Sequence, residues 1–463
     1  MSAPKTGEHT PLKRVIGPKL LLFFVIGDIL GTGIYALTGK VAGEVGGAAW
    51  LSFALSFAVA LFTASSYVEL VGKYPRAAGA ALYAHRAFGI PFLTFLVAFA
   101  VMSSGLTSAS AAARAFGGDY LAEFVALPTT LVAIAFVVAL ALINFRGVSE
   151  SVKTNVVLTC VELSGLLTVI AIGFIALSRG TGDPGQVLEF KEGANPVTAV
   201  VSGAALAFFA MVGFEDSVNM AEETKDPQRA FPRALFLGIT VTGIVYMLVA
   251  ACSTMLVPIP VLERSSGPLL EVVKAGAPGF PLQLFALVAL FAVSNSALIN
   301  LLMASRLVYG MARERIIPGV FGAVHPLRRT PRVAILFTTL LAIGLIVFGD
   351  IRELGGTTAL LLLGVFTLVN AAVLVLRRDK VGHEHYRAPT ILPVLGVLTC
   401  AYLASPLSGR DPEQYVLAAV LLGIGVLLWV VNLLFLRGRR RFAPEKITGP
   451  TPPEKTGRAP GNP

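Results

Sequence analysis

An all-α polytopic membrane protein with twelve transmembrane helices is the fold class that three observations predict: the composition, the lengths of the apolar runs, and the placement of Lys and Arg. The chain is 55% hydrophobic and 14% charged, with a mean hydropathy of +0.77, more apolar than a soluble chain of 463 residues. Twelve stretches of roughly 16 to 25 residues carry few or no charges, enough to cross a hydrocarbon core of about 30 Å. They fall near 20–39, 48–70, 91–113, 128–145, 154–178, 198–220, 232–257, 280–304, 333–350, 357–376, 388–406 and 414–436.

Charge placement tests this map separately, because Lys and Arg collect in short cytoplasmic loops. With both termini inside, 29 of the 37 Lys and Arg fall on the cytoplasmic side and 8 on the other. The net charge of +10 is thus a topology signal that calls for no nucleic-acid partner. Residues 1–19 form a polar, basic cytoplasmic segment without a cleavable signal, so the first span is expected to stay as an anchor. Residues 437–463 read as a disordered cytoplasmic tail whose "RGRRRF" suits anionic lipid. Cys160, Cys252 and Cys400 sit in apolar spans, so packing is expected of them rather than a disulfide framework. The "HEH" at 383–385 reads as a solvated loop; no metal site or cofactor is called for.

Two spans break the pattern. The first contains "GDILGTGIYALTG" (27–39), where four glycines and Asp28 interrupt an apolar run. The sixth contains "FFAMVGFEDSVNM" (208–220), with Glu215 and Asp216 in its midst. Matching breaks five helices apart are the signature of a five-plus-five inverted repeat, in which broken helices 1 and 6 form a site near the midplane. Gly31, Thr32 and Gly33 let the backbone unwind, which hydrocarbon tolerates only where the freed groups line a cavity or are buried in protein. Each break then presents N–H groups at the start of one half-helix and C=O groups at the end of the other, which suits a zwitterion. Close packing of GxxxG type is the competing explanation for the glycines alone; Asp28 and the second break favour a binding site.

At these residues the chain resembles the amino acid-polyamine-organocation superfamily of secondary transporters, specifically its bacterial amino acid permeases. The blocks that carry the resemblance are "GDILGTGIY", "GFEDSVNMAEETKDPQRAFPRA", "NSALINLLMASRLVYGMARERIIP" and "YPRAAGAALYAHRAFG". The resemblance implies repeats at 20–178 and 198–376, with helices eleven and twelve (388–436) peripheral. It also implies roles: Thr32 and Gly33, with Gly31, receive a substrate carboxylate, and the carbonyls of Ile29, Phe209 and Val212 receive its ammonium. Phe209 or its neighbour Phe208 is an aromatic gate. Ser104 and Thr107, one turn apart on helix three, can face the substrate side chain or bond to another helix.

The chain departs from its relatives at two places that bear on coupling. A lysine in helix five of several relatives occupies the sodium position of sodium-coupled members; here "TCVE" (159–162) puts Glu162 there. Asp28 stands where the family usually has a small or amide residue, and Glu215 matches a position often acidic and tied to proton coupling. An ionised carboxylate at the bilayer centre costs roughly 2.5 to 3.5 kcal/mol or more, so Asp28, Glu162, Glu215 and Asp216 are expected neutral, solvated or cation-paired. No Lys or Arg lies deep in a span to pair with them, while Glu69 reads as interfacial. Glu222, Glu223, Lys225, Arg229 and Arg233 read as a gate cluster or a solvated loop.

The expected activity is secondary active transport of a cationic or neutral amino acid across the plasma membrane by alternating access, with proton coupling. Helix eight lacks an evident hydroxyl pair for sodium, Ser294 and Ser296 being the nearest candidates. Alternatives are amino acid/polyamine exchange, sodium symport, or a nutrient sensor that does not transport. No nucleophile-base pair in the spans points to an enzyme. The partners implied are the amino acid, a proton or sodium ion, and membrane lipid.

Overall fold

The structure, a computed structural model, describes residues 16–75, 79–146, 152–221, 223–326, 328 and 330–435. Most of the N-terminal segment, Glu222 and the basic tail lie outside these residues. Among those described, the long elements are all helices, and the only β-type pairing is an isolated bridge between Ile16 and Thr224.

The first half runs α1 (Pro18–Ile29), α2 (Thr32–Val45), α3 (Ala49–Lys73), α4 (Gly79–Phe88), α5 (Pro91–Ala115), α6 (Thr129–Arg146) and α7 (Val152–Ser178). It continues through α8 (Pro196–Met211), α9 (Pro227–Leu256), α10 (Ile259–Arg264), α11 (Pro268–Gly276) and α12 (Leu282–Arg313). The last helices are α13 (Arg332–Phe348), α14 (Ile351–Leu376), α15 (Ile391–Ala404) and α16 (Pro412–Phe435).

Nine described helices are long and apolar enough to cross a membrane, and α1 with α2 forms a tenth as a pair bent by 42°. The ninth and eleventh apolar runs give only the shorter helices α13 and α15, of 17 and 14 residues. At 1.5 Å per residue these reach about 26 and 21 Å, short of a core of about 30 Å.

Several helix starts follow from local chemistry. Proline opens the first turn of α1, α5, α8 and α9, where its missing N–H costs nothing. Asn195 caps α8 by accepting from the Val197 N–H at 2.9 Å. Asp350 and Glu353 form a reciprocal capping box on α14, at 2.7 and 3.0 Å.

In the interior, α3 packs on α8 and α9, while α5 lies against α12 and α14. Short polar side chains join these apolar helices: Ser56 donates to the Ala204 carbonyl at 2.9 Å, and Ser66 to Asn370 at 2.6 Å. Cys252 and Cys400 are buried, but Cys160 is exposed on the outside of the bundle. Glu69, near the end of α3, is 2% exposed and accepts two hydrogen bonds from Arg377, at 2.9 and 2.8 Å. It also accepts the Ala388 N–H at 2.9 Å, which fastens the approach to α15 onto α3.

Candidate functional site

The break in the first span is short. α1 ends at Ile29, Leu30 and Gly31 are extended, and α2 begins at Thr32 with no side chain capping it. Gly31 at the N-cap thus offers the first-turn N–H groups of α2 no side-chain acceptor. In the sixth span α8 ends at Met211, Val212 is extended, and Gly213 adopts φ +119°, a region that only glycine enters easily. The Glu215 carboxylate accepts the Gly213 N–H at 2.8 Å, which holds this turn, and a single helical turn follows over Asp216–Met220.

The two breaks lie against each other. A Cβ on Gly213 would fall 2.3 Å from the Asp28 carbonyl oxygen, and a Cβ on Gly33 would fall 2.5 Å from the Ala210 Cα. Both glycines are required by backbone contact between half-helices.

Beside this contact is a cavity of about 130 Å³. Helix one contributes Asp28, Ile29, Gly31, Thr32 and Gly33 to its wall, and the sixth span contributes Phe209, Val212, Gly213, Glu215 and Asp216. Ser104 of α5 completes the set of expected residues found on the wall. The Thr32 hydroxyl is buried there without a hydrogen-bond partner among the described residues. The Ile29 carbonyl already accepts from the Tyr246 hydroxyl at 2.7 Å.

Three expected residues lie elsewhere. Thr107 is fully buried, and its hydroxyl meets that of Thr358 at 2.6 Å, tying α5 to α14. Phe208 is also fully buried, edge-on to Phe366 with centroids 6.0 Å apart, so of the two phenylalanines only Phe209 faces the cavity. Glu162 is 1% exposed and off the wall. It sits at the level of the helix-one break, because its own carbonyl accepts from the Tyr35 hydroxyl at 2.6 Å. Its Oε1 accepts from Asn295 at 3.0 Å, and its Oε2 has no partner among the described residues.

Sequence reasoning missed Ser108 and Asn300, both on the wall; Ser296, named there only as a sodium-site hydroxyl, lines it as well. Ser108 could have been found from helix phase: at 100° per residue, position 108 returns to the face of Ser104, whereas Thr107 turns away from it.

Three carboxyl groups and no Lys, Arg or His line the cavity among the described residues. The wall extends through Asn219, Met303 and Leu307 toward the end of the bundle where α4 lies, with Ala80 and Ala81 beside them. Beyond the opposite end, Arg352 pairs with Glu44 of α2 and, at 2.8 Å, with Asp411. Two cations are buried among the described residues, both away from the cavity: Lys73, at 5% exposure, donates to the Leu376 carbonyl, and Arg410, at 7%, donates to the Ala205 carbonyl at 2.7 Å and the Gly356 carbonyl at 2.9 Å, bridging α8 and α14.

In the loop after the sixth span, the link is made by backbone. The Ile16 N–H donates to the Glu223 carbonyl at 3.0 Å, and the Lys225 N–H to the Ile16 carbonyl at 2.9 Å. Arg229 meets Asp226 only at 3.8 Å with both side chains exposed, and Glu222 lies outside the described residues. No group of three metal-ligating side chains occurs among the described residues, the "HEH" segment included.

A bundle of apolar helices, nine of the described ones long enough to cross a membrane, fits a polytopic membrane protein. The chain belongs to the amino acid permease family, whose model matches residues 16–436, and to its amino acid-polyamine-organocation superfamily. It is 26% identical over 425 residues to the branched-chain amino acid permease of Bacillus subtilis, covering 87% of this chain and 89% of that one. It is 29% identical over 408 residues to cationic amino acid transporter 4 of Mus musculus, covering 81% of this chain and 62% of that one. The methylthioribose transporter of Bacillus subtilis is 25% identical over 440 residues, covering 90% of this chain and 93% of that one. Family and relatives alike bear the names of transporters, not enzymes.

Proposed function

We propose that this chain is a secondary active transporter that moves a cationic or neutral amino acid across the plasma membrane by alternating access, coupled to protons. The observation that carries the reading is the contact of the two breaks at one cavity wall, Gly213 on Asp28 and Gly33 on Ala210. In this reading Gly31, Thr32 and Gly33 offer the uncapped N-terminus of α2 to the substrate carboxylate. The carbonyls at the C-terminal end of α8, with Val212, take the ammonium, and Phe209 closes over it. The carbonyl of Ile29 is shared with Tyr246.

The architecture that goes with this function is twelve spans, counting α1–α2 as one and the shorter α13 and α15 as two more, with both termini cytoplasmic. Residues 20–178 and 198–376 form the inverted repeats, and 388–436 the peripheral pair. The Arg352 contacts then seal the outer end, and the cavity faces the cytoplasm along α4. Coupling rests on Glu162 and Glu215, with Asp28 beside the first break. Proton rather than sodium coupling is favoured because α12 meets Glu162 with the amide of Asn295, not with a hydroxyl pair.

Purified protein in liposomes, given labelled amino acids with and without an inward proton gradient, tests the reading. Gradient-driven accumulation supports it. Amino acid binding with no flux indicates a sensor.

A further inference from the structure

The wall that faces the breaks has a directional hydrogen-bonding character. α12 abuts the first break, since a Cβ on Gly31 would lie 3.1 Å from the Ser296 hydroxyl. One turn further along α12, Asn300 lines the cavity. Its Nδ2 donates to the Ser296 carbonyl at 2.9 Å and to the Ser108 hydroxyl at 3.3 Å. A carbonyl can only accept, so the first of these bonds fixes which way the amide points. Both amide protons are committed, and Oδ1 receives no hydrogen bond from the described residues.

That oxygen lies beside Gly105, whose missing Cβ would be 3.4 Å from it, an ordinary contact distance. Unlike Gly33, Gly105 is therefore not demanded by backbone packing; its lack of a side chain leaves space in front of Asn300. Ser104, next to Gly105 on α5 and on the same wall, spends its proton on the Val101 carbonyl at 2.7 Å and has only lone pairs left. Thr358 behind it donates within its own helix to the Leu354 carbonyl at 3.0 Å. Around this space Asn300 Oδ1 and Ser104 Oγ are therefore acceptors without protons to give; the hydroxyls of Thr32, Ser108 and Ser296 lie elsewhere on the wall, and no Lys, Arg or His lines it among the described residues.

Resting on the transport reading, we propose that Asn300 and Ser104 select an amino acid whose side chain ends in an N–H donor, a carboxamide or a cationic nitrogen. With the carboxylate on α2 and the ammonium on the end of α8, the remaining substituent of the α-carbon points toward α5 and α12. There Asn300 Oδ1 and Ser104 Oγ receive its terminal N–H groups, while Ile299 and Met303 cover its methylene stem. An aliphatic side chain of similar size fits the space but leaves Asn300 Oδ1 desolvated and without a donor, which costs affinity.

Binding of glutamine, asparagine, lysine, arginine, leucine and valine to the purified full-length protein tests this, read as thermal stabilisation and confirmed by calorimetry. At least one donor-bearing amino acid is expected to bind about tenfold or more tighter than leucine. The amide and cationic arms show which nitrogen is preferred. Asn300→Leu is expected to remove that advantage while leucine binding stays or improves. Leucine or valine binding as tightly as every donor-bearing ligand overturns the proposal from the unaltered protein alone, even if the variant fails to fold. An Asn300→Leu protein with an unchanged ranking overturns it as well. Absence of binding by any amino acid overturns the transport reading on which the proposal stands, whereas a leucine preference leaves that reading intact.

Discussion

Gly213 and Asp28 touch through their backbones: a Cβ on the glycine would lie 2.3 Å from the aspartate carbonyl oxygen, at φ +119°. Side-chain atoms cannot be added there without separating the breaks. Gly213→Ala is expected to destabilise the protein by about 1 to 3 kcal/mol, from overpacking combined with an unfavourable φ, and to abolish substrate binding. Gly344→Ala, where nothing lies within 4 Å, serves as the control. Equal melting midpoints and equal binding for the two variants would refute the contact.

Gly33 distinguishes two explanations of a similar kind. If bulk at this position only fills the cavity, a methyl group should be tolerated and valine should not. With the Ala210 Cα 2.5 Å from its Cβ position, alanine already wedges α2 from α8. Both Gly33→Ala and Gly33→Val are expected to reach the membrane and lose uptake. Near-normal uptake by Gly33→Ala would show that the cavity, not the helix contact, needs the glycine.

Charge in the cavity sets a limit on substrates. Asp28, Glu215 and Asp216 line it, with no Lys, Arg or His among the described lining residues. A second substrate carboxylate finds no cation there to pair with, and any of the three acids that is ionised repels it. Glutamate and aspartate at millimolar concentration are expected not to displace a bound neutral or cationic amino acid at neutral pH. Displacement comparable to that by the best substrate would exclude the electrostatic account.

Glu162 is off the cavity wall but level with the first break, so its substitution should separate coupling from binding. Glu162→Gln keeps the hydrogen bond available to Asn295 and removes the exchangeable proton. Substrate affinity is expected to stay within about threefold, a change of under 1 kcal/mol. Stimulation of uptake by an inward proton gradient is expected to vanish. Uptake by the unaltered protein that requires sodium and ignores a protonophore would assign the coupling elsewhere.

How much of this was legible beforehand depended on the kind of signal. Glycines and carboxylates inside apolar runs stand out by composition alone, so Asp28, Gly31, Gly33, Glu215 and Asp216 were readable, and all line the cavity. Helix phase was harder to use: Thr107 lies one turn from Ser104 and makes the interhelical contact that was the alternative reading, whereas Ser108, also one turn on, lines the cavity. Asn300 carries no signal of its own, because a lone amide in α12 has the same sequence pattern whether it joins helices or lines a cavity. The ion pair of Glu69 was not legible because its partner Arg377 lies 308 positions away, beyond the reach of local pattern. The buried Arg410 was placed by charge counting in a loop, and only folding brings it to the carbonyls of Ala205 and Gly356. The lengths of α13 and α15 likewise depend on where loops begin, which hydropathy marks poorly.

The central claim is that an amino acid crosses the membrane through the site at the two breaks. Counterflow into proteoliposomes addresses it most directly: vesicles preloaded with an unlabelled amino acid that binds the protein are diluted into the same amino acid in labelled form. Transient accumulation of label above protein-free vesicles, absent with the Gly33→Val protein, is the expected result. A protein that binds the amino acid yet gives no more label than protein-free vesicles, or a Gly33→Val protein that accumulates it normally, would contradict the account.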